Sequence, residues 1–275
     1  MAGWDNPDVD LLYDINGLAR DAPGWADRVM EYVGEYGILL ALALLGCWAW
    51  WSVRRRSRTR EAAAAGFAGL LWAPLAAGVA VLVNIPVRGL VERPRPFVDH
   101  TGLEVLVDGK RDYSFVSDHA ALAMALAVGL FIVNRRFGLI GIALAALEGF
   151  CRVYMGVHYP TDVLGGIALG TAVALLLAPV ALWLLTPLAQ SVASSPRAGA
   201  LVWAGPPGGV APRRGAAAGG TDGGGAQDAG TDAAGTRARA DRARKATEPS
   251  YATGPEHDPD PDRGPGRGRA RDLAA

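Results

Sequence analysis

Cysteine is nearly absent from this chain, and its scarcity excludes disulfide-rich and zinc-binding domains. The two cysteines among 275 residues, Cys47 and Cys151, lie in separate apolar stretches. Two such residues cannot form a disulfide framework or supply the spacing of a zinc site, so we expect each to pack as a small apolar side chain. The chain also offers no separate acidic cluster for a metal, and we expect no metal site.

Charge is scarce as well, and it is balanced. Charged residues make up 20% of the chain, and 27 basic residues offset 27 acidic ones. A net charge of zero provides no overall attraction to nucleic acid, and we expect no nucleic-acid partner. Hydrophobic residues, in contrast, reach 51%, so the apolar runs dominate the fold.

The apolar residues are concentrated before residue 188. Beyond that point the chain is rich in Gly, Ala, Pro, Arg and Asp and contains almost no large aliphatic side chains. Such a composition buries too little apolar surface to offset the entropy of folding. We therefore predict that residues 188–275 form a disordered cytoplasmic tail. Its stretch TRARADRARKA either lies in water or contacts an anionic lipid or acidic partner.

Five apolar segments are long enough, or nearly so, to cross a bilayer, which takes roughly 17–25 residues per helix. The sequence therefore predicts an all-α integral membrane bundle of about five transmembrane helices, within a membrane-embedded domain over 36–187. The predicted spans are 36–53, 63–85, 119–133, 137–151 and 162–185. The third and fourth are short, so we expect their ends to extend into polar flanks or their helices to lie inside the bundle. Residues 1–35 mix apolar side chains with many acids, a pattern typical of an amphipathic interfacial segment.

Basic loops set the predicted orientation, because Lys and Arg are retained on the cytoplasmic side. RRRSRTR at 54–60 joins the first two predicted spans, and NRRFG at 134–138 joins the next two. Segments 88–118 and 152–159 then lie on the outer face. Two stretches on this face, VRGLVERPRPF and CRVYMGVHYPTD, contain arginines that oppose this orientation: Arg88, Arg93, Arg95 and Arg152. We therefore expect these arginines to bind an anionic group.

Two histidines, a serine and two aspartates share the predicted outer face. Ser117, Asp118 and His119 open the third span, where unpaired backbone N–H groups and the helix dipole favour an anion and either of the first two residues can cap the helix. His158 can act as a nucleophile, and Asp162, four residues later, can accept its ring N–H. Taken singly, Asp162 also fits an ordinary first-turn acid and His119 a helix-end histidine. Together on one face they indicate a phosphate site with two titratable imidazoles.

Three ordered motifs lie on this face: R-x6-R-P at 88–96, V-S-D-H at 116–119 and C-R-x5-H-x3-D at 151–162. They resemble the K-x6-R-P, P-S-G-H and S-R-x5-H-x3-D motifs of the type-2 phosphatidic acid phosphatase superfamily. The segments NGLA, ERPRPFVDH, SFVSDHA and GVHYPTDVLGG are further similar to the bacitracin-resistance type of undecaprenyl-diphosphate phosphatase. The resemblance covers most of the apolar part of the chain.

This resemblance implies phosphoryl transfer through a histidine, without metal or cofactor. His158 would be the nucleophile that forms a phosphohistidine, with Asp162 orienting its ring. His119 would protonate the leaving oxygen and then activate water. The phosphoryl oxygens would be held by three arginines and the start of the third span: Arg88, Arg95, Arg152, Ser117 and Asp118.

The chain departs from the family motifs at four positions. Arg88 stands for lysine, which keeps the charge but replaces a point donor with a planar fork. Val116 and Asp118 stand for Pro and Gly, and a carboxylate beside phosphate is unfavourable unless it turns away or caps the helix. Cys151 stands for a serine, so one hydrogen bond to phosphate is lost.

Glu148 precedes Arg152 by four residues, so both side chains project from the same face of a helix. Glu148 either forms a salt bridge that orients Arg152 or is a polar residue facing a wet cavity. The sequence leaves both interpretations open.

The resemblance implies a multi-pass membrane lipid phosphatase with its site on the extracytoplasmic face and a lipid phosphate as its partner. The expected reaction converts undecaprenyl diphosphate to undecaprenyl phosphate, which serves cell-wall synthesis and bacitracin resistance. Phosphatidate, phosphatidylglycerol phosphate and phosphotransfer to a lipid alcohol are alternatives, as are a vanadate-dependent haloperoxidase-like oxidoreductase and a non-enzymatic transporter. The sequence leaves the oligomeric state open.

Overall fold

The protein is helical throughout the part that the computed structural model describes, which is residues 6–107, 109 and 111–205. In this part no strand occurs, and one π-helical turn interrupts the α-helices. The elements are α1 Pro7–Arg20, α2 Gly24–Tyr32, the π-helical turn Val33–Gly37, α3 Ile38–Arg56, α4 Arg60–Val91, α5 Pro96–Asp99, α6 Asp118–Val133, α7 Arg135–Tyr154, α8 Pro160–Leu176, α9 Ala178–Ser194 and α10 Gly199–Val202.

Three helical segments of the described chain are long and apolar enough to cross a membrane: Gly24–Arg56, Arg60–Asp99 and Arg135–Tyr154. Helices α8 and α9 pass the same criteria only as a pair, which is bent by 52°. Helix α6 is apolar but has only 16 residues. These segments contain all five predicted spans, and the prediction of an all-α membrane bundle is confirmed.

Helix α6 lies at the centre of the bundle, packed against α4, α7 and α8. Most of its buried residues are alanines, which allow close helix packing. Opposite it, a Cβ atom on Gly166 of α8 would lie 2.6 Å from the carbonyl oxygen of Ser117, and one on Gly170 would overlap that of Ala121. Small residues at both faces let the two backbones approach. As a result the first turns of α6 and α8 lie side by side.

Helix α1 is held against the loops at one end of the bundle by a buried asparagine. The Asn16 amide donates to the carbonyl oxygens of Glu104 and Tyr154 at 2.7 and 2.8 Å. Its own oxygen accepts the N–H of Glu104 at 2.8 Å. All of its hydrogen-bonding atoms therefore serve to fix α1 on loop 100–117 and the end of α7.

The structure departs from the predicted boundaries near the N-terminus and in the last span. Residue 35, where the interfacial segment was predicted to end, falls inside the continuous helical run Gly24–Arg56. The single span predicted over 162–185 is two helices, α8 and α9, that meet at a sharp bend. Pro179, at the second position of α9, has no N–H to continue the hydrogen bonds of α8.

The boundary predicted at residue 188 also differs from the structure. Helix α9 continues to Ser194, and the short α10 follows. Ala189 and Ala193 of α9 are buried in one cluster with three alanines of α4, namely Ala63, Ala64 and Ala68. This close packing of small residues stabilises the last turns of α9, which the composition alone does not predict to be helical. The rest of the predicted tail, 206–275, lies outside the described residues.

Candidate active site

The last turns of α4 and α7 and the first turns of α6 and α8 meet at one end of the bundle. These four helix ends, together with the short segments that follow α4 and α7, carry the residues that the sequence singled out. The N–H of Ser117 donates to the carbonyl oxygen of Asp162 at 3.0 Å and joins the starts of α6 and α8 directly. Both basic loops lie at the opposite ends of these helices, because residues 57–59 link α3 to α4 and Asn134 links α6 to α7.

His158 is buried between an arginine and an aspartate. Its Nε2 lies 3.3 Å from Nη1 of Arg95, and its Nδ1 lies 3.6 Å from Oδ2 of Asp162. A guanidinium group can only donate, so Nε2 must act as the acceptor, and we assign the ring proton to Nδ1. The Nε2 lone pair therefore points toward a cationic group, where a phosphoryl group would be attracted.

The environment of His158 keeps its ring neutral. Burial lowers the pKa of His158 below its ordinary value, and the charges of Arg95 and Arg152 act in the same direction. The nearby carboxylate of Asp162 opposes this change in pKa without reversing it. The imidazole is thus held in its neutral form, in which Nε2 keeps a lone pair.

Asp162 is fully buried and has a partner on each oxygen. Its Oδ1 accepts from Nη1 of Arg93 at 2.8 Å, and its Oδ2 accepts the N–H of Tyr159 at 3.0 Å. The other Arg93 nitrogen, Nη2, donates to Asp8 at 2.6 Å. The guanidinium group also lies over the Tyr159 ring, 3.7 Å from its centroid. Arg93, which the sequence had grouped with the anion-binding arginines, is instead engaged with two carboxylates of the chain.

Arg88 and Arg95 are joined by one carboxylate. Asp112 accepts from Nη2 of Arg95 at 2.7 Å and from Nη1 of Arg88 at 2.6 Å. Arg95 is further fixed by the carbonyl oxygens of Val157 and Asp112 at 2.9 and 3.0 Å. Burial would raise the pKa of Asp112, but the Arg95 hydrogen bond and the charges of both arginines outweigh it and lower the pKa. Asp112 therefore stays ionised, and an anionic substrate has to compete with its carboxylate for Arg88 and Arg95.

The Asp118 carboxylate is bound by two side chains of α4, and one of them is the predicted phosphate-binding Arg88. Its Oδ1 accepts from the Asn84 amide at 2.6 Å, and its Oδ2 accepts from Nη2 of Arg88. Asn84 and Arg88 lie four residues apart on α4, so they reach the same carboxylate together. Because the Asp118 carboxylate and a phosphate repel each other, only the backbone N–H of Asp118 can make the predicted contact with phosphate.

Arg152 is buried among acidic and carbonyl groups. Its Nη1 donates to Oε2 of Glu35 at 2.8 Å, and its Nη2 donates to the carbonyl oxygen of Gly34. The Nε atom lies 3.0 Å from Oε1 of Glu148. The salt bridge considered for Glu148 is thus present, and a second acid, Glu35, also binds Arg152.

His119 and Ser117 differ in how much of each is accessible. The His119 side chain is 23% exposed, and its Nε2 lies 4.0 Å from Oε1 of Glu35. Ser117 is fully buried and caps α6, because its Oγ accepts the N–H of Ala120 at 3.4 Å. The hydroxyl proton of Ser117 is still available for donation.

The geometry assembles the predicted site residues and adds three that the sequence did not assign to the site, namely Glu35, Asn84 and Asp112. It also pairs Arg93 with Asp162. Only Asn84 had a local signal, since it precedes Arg88 by one helical turn. The other contacts join positions 69 or more residues apart, or lie across an irregular loop, and no spacing rule predicts them.

The site combines a neutral buried imidazole, cationic guanidinium groups and a second histidine, a set suited to phosphoryl transfer. The PAP2 superfamily matches residues 69–185. The undecaprenyl-diphosphatase BcrC of Bacillus subtilis is 32% identical over 168 residues, which cover 61% of this chain and 80% of that protein. The decaprenylphosphoryl-5-phosphoribose phosphatase of Mycobacterium tuberculosis is 34% identical over 170 residues, covering 60% and 86%.

A solved structure gives a weaker match. The crystal structure of the PAP2 type phosphatidylglycerolphosphate phosphatase from Bacillus subtilis is 25% identical, with a TM-score of 0.44. The match covers 64% of this chain and 86% of that chain.

These findings define a membrane-embedded phosphatase. The chain belongs to the PAP2 superfamily, as the resemblance of its three motifs implied. It is a multi-pass membrane lipid phosphatase, and the expected enzyme class is confirmed.

Proposed function

We propose that this phosphatase removes the terminal phosphate of undecaprenyl diphosphate and releases undecaprenyl phosphate. The geometry of His158 carries the proposal: Nε2 faces Arg95 at 3.3 Å while Nδ1 faces the buried carboxylate of Asp162 at 3.6 Å. A neutral imidazole whose second nitrogen is oriented by a carboxylate is an activated nucleophile. The polyprenyl substrate is supported by the identity of 32% to a named undecaprenyl-diphosphatase.

The first step forms a phosphohistidine. Nε2 of His158 attacks the terminal phosphorus, and the bond from that phosphorus to the bridging oxygen breaks. His119 donates a proton to the leaving oxygen of undecaprenyl phosphate. The charge on the phosphoryl oxygens is held by three guanidinium groups, the Ser117 hydroxyl and the first N–H groups of α6: Arg88, Arg95, Arg152, Ser117 and Asp118.

The second step returns the enzyme to its starting state. Neutral His119 takes a proton from water, and the resulting hydroxide attacks the phosphorus. The P–N bond to His158 breaks, and inorganic phosphate leaves. The Asp162 carboxylate keeps the same ring orientation in both steps, because Arg93 and Tyr159 hold it in place.

We place the site on the extracytoplasmic face of the membrane. The basic loops at 54–60 and 134–138 lie at the opposite end of the helices from His158. Because Lys and Arg are retained in the cytoplasm, this distribution supports an outward-facing site. The polyprenyl chain can then remain in the bilayer while its head group reaches the site.

A phosphomonoester on a polyprenyl-linked sugar is the second candidate substrate. It is favoured by the identity of 34% to a decaprenylphosphoryl-5-phosphoribose phosphatase, 86% of which is covered. The two candidates share a polyprenyl chain and a terminal phosphate. They differ in the leaving group, which is a phosphate in one and a sugar hydroxyl in the other.

The deciding experiment measures phosphate release by the purified full chain in detergent. Undecaprenyl diphosphate, decaprenylphosphoryl-5-phosphoribose, phosphatidylglycerol phosphate and phosphatidate are compared under one condition. We expect the highest kcat/KM for undecaprenyl diphosphate. A higher value for the sugar phosphate would select the second candidate, and a preference for either diacyl lipid would overturn both.

The histidine mechanism is tested in the same assay with a variant. His158→Ala abolishes phosphate release, and wild-type protein quenched after mixing with ³²P-labelled substrate retains an acid-labile label that this variant lacks. Release that persists in His158→Ala would reject the mechanism whatever the substrate.

A further inference from the structure

Glu35 lies on the only π-helical turn in the described chain, in the middle of the helical run Gly24–Arg56. A π-helical turn contains an extra residue and changes the direction of the side chains that follow it, and such turns are frequent at functional sites. At this turn a Cβ atom on Gly34 would lie 2.8 Å from Cβ of Cys151 and 2.9 Å from Cε of Met155. The glycine therefore lets the turn approach α7 closely and brings Glu35 to the site.

The two carboxylate oxygens of Glu35 face two different residues of the site. Oε2 accepts from Nη1 of Arg152 at 2.8 Å, while Oε1 lies 4.0 Å from Nε2 of His119. The Glu35 side chain is only 16% exposed, and Arg152 is fully buried. A half-enclosed carboxylate thus connects a proposed phosphate-binding arginine with the proposed acid and base.

Glu35 contacts more than Arg152. The guanidinium group of Arg152 also has an ion partner one turn earlier on its own helix, since its Nε lies 3.0 Å from Oε1 of Glu148. The second oxygen of Glu35 faces His119, which stands on a different helix from Arg152.

We propose that Glu35 is a positioning residue that holds His119 and Arg152 in one fixed arrangement for protonation of the leaving group. The inference rests on the proposed function, because it assumes that His119 donates a proton and Arg152 binds phosphate. A carboxylate beside the imidazole limits its rotation and favours its charged form. Through Arg152 the same carboxylate relates the position of the phosphoryl group to that of the acid.

The test uses a pair of substrates that differ in their need for an acid. The leaving group of benzyl phosphate is an alkoxide, which requires protonation. The leaving group of 4-nitrophenyl phosphate is a phenolate, which is stable without a proton. For Glu35→Gln we expect kcat on benzyl phosphate to fall about 10- to 100-fold, part of the 10²–10⁴-fold that general acid catalysis contributes. The burst of 4-nitrophenolate, which reports the first step alone, changes less than about threefold.

The matched control is Glu31→Gln, one turn earlier on the same helix. Glu31 is half-buried, and among the described residues it has no hydrogen bond or ion pair. We expect both substrates to react as in the wild type. If the 4-nitrophenolate burst in Glu35→Gln fell as far as kcat on benzyl phosphate, Glu35 would only join helices, and the inference would be overturned.

A double variant keeps the test decisive if Glu35→Gln weakens the fold. In a His119→Asn background, Glu35→Gln should cost less than about twofold on benzyl phosphate, because the acid it positions is already missing. The same cost with and without His119 would reject the coupling. Failure of the proposed function is recognised separately, since wild-type protein would then release no phosphate or His158→Ala would remain active.

Discussion

Arg93 donates to the fully buried carboxylate of Asp162 at 2.8 Å, on the opposite side from His158. The same guanidinium group bonds Asp8 of α1 and lies over the Tyr159 ring. The carboxylate that orients His158 is therefore itself oriented by a residue at one of the unspecified x positions of the R-x6-R-P motif. The N-terminal helix α1 also contributes to the site through Asp8.

Replacing Arg93 by alanine should lower kcat with little change in KM. Removing one partner of a buried ion pair leaves the other charge uncompensated, which costs about 3–5 kcal/mol when both are enclosed. Arg93 is 25% exposed, so water compensates in part, and we expect a loss of about 10- to 100-fold in kcat. Steady-state phosphate release by Arg93→Ala gives the value.

Two further arginine variants separate charge from geometry. Arg93→Lys keeps the charge but cannot bind Asp162 and Asp8 with a planar fork, so it should recover only part of the lost rate. Arg111→Ala, at an exposed arginine of the same loop region, should react as the wild type. An undiminished kcat in Arg93→Ala would show that Asp162 needs no support from this side.

The neutrality of His158 predicts activity at acidic pH. Burial lowers the pKa of His158 below the ordinary value of 6.5, so the ring loses its lone pair to protonation only at lower pH. The acidic limb of kcat/KM that belongs to the free enzyme should therefore lie below pH 6.5. A profile measured with substrate ionisation determined separately checks this, and a limb above that pH would contradict the buried, neutral ring.

Asp112 should compete with phosphate for Arg88 and Arg95. Its two oxygens occupy one nitrogen of each guanidinium group, at 2.6 and 2.7 Å. The Asp112 side chain is 45% exposed, so each pair is worth at most about 1 kcal/mol. Asp112→Asn should therefore lower the inhibition constant of inorganic phosphate by about three- to tenfold, measured as competitive inhibition.

The control for Asp112 is another acid on the same side of the molecule. Asp99 is exposed at the end of α5, and Asp99→Asn should leave phosphate inhibition unchanged. Weaker inhibition by phosphate in Asp112→Asn would reverse the interpretation, because it would mean that Asp112 positions the two arginines for the substrate.

The helices that cross the membrane could be predicted because apolar length is a strong signal. Two features were missed although each had a local cause. Pro179 lies within a continuous apolar stretch of the sequence. Because it has no N–H to donate, the helix breaks there into α8 and α9. The end of α9 consists of small residues such as Ala189 and Ala193, which pack by close approach and do not register as a large apolar run.

The site could be predicted only as far as its motifs extend. The spacing of four residues predicts that His158 and Asp162 lie close together, and their Nδ1 and Oδ2 atoms are 3.6 Å apart. Asp118 was assigned to phosphate by its place in a motif, but its side chain is bound to Asn84 and Arg88 of another helix. Partners that come from remote helices depend on the packing of the bundle, which a single sequence does not display.

Close packing of α8 against α6 provides the last prediction, for Gly170→Ala. Alanine normally stabilises a helix by about 1 kcal/mol relative to glycine. A Cβ atom at Gly170, however, would overlap the carbonyl oxygen of Ala121 and lie 3.0 Å from the N–H of Ala125, which are backbone atoms that cannot turn aside. We expect a cost of about 1–3 kcal/mol from overpacking, seen as a lower melting temperature in detergent.

The same change should reduce kcat, because the hydrogen bond from Ser117 to the Asp162 carbonyl depends on the spacing of α6 and α8. Gly78→Ala on α4 is the matched control: no atom lies within 4 Å of the added Cβ, so helix propensity alone acts. Its melting temperature should be equal to or above that of the wild type, with kcat unchanged. If Gly170→Ala and Gly78→Ala behaved alike in both measurements, contact between the backbones of α6 and α8 would not be what sets the geometry of the site.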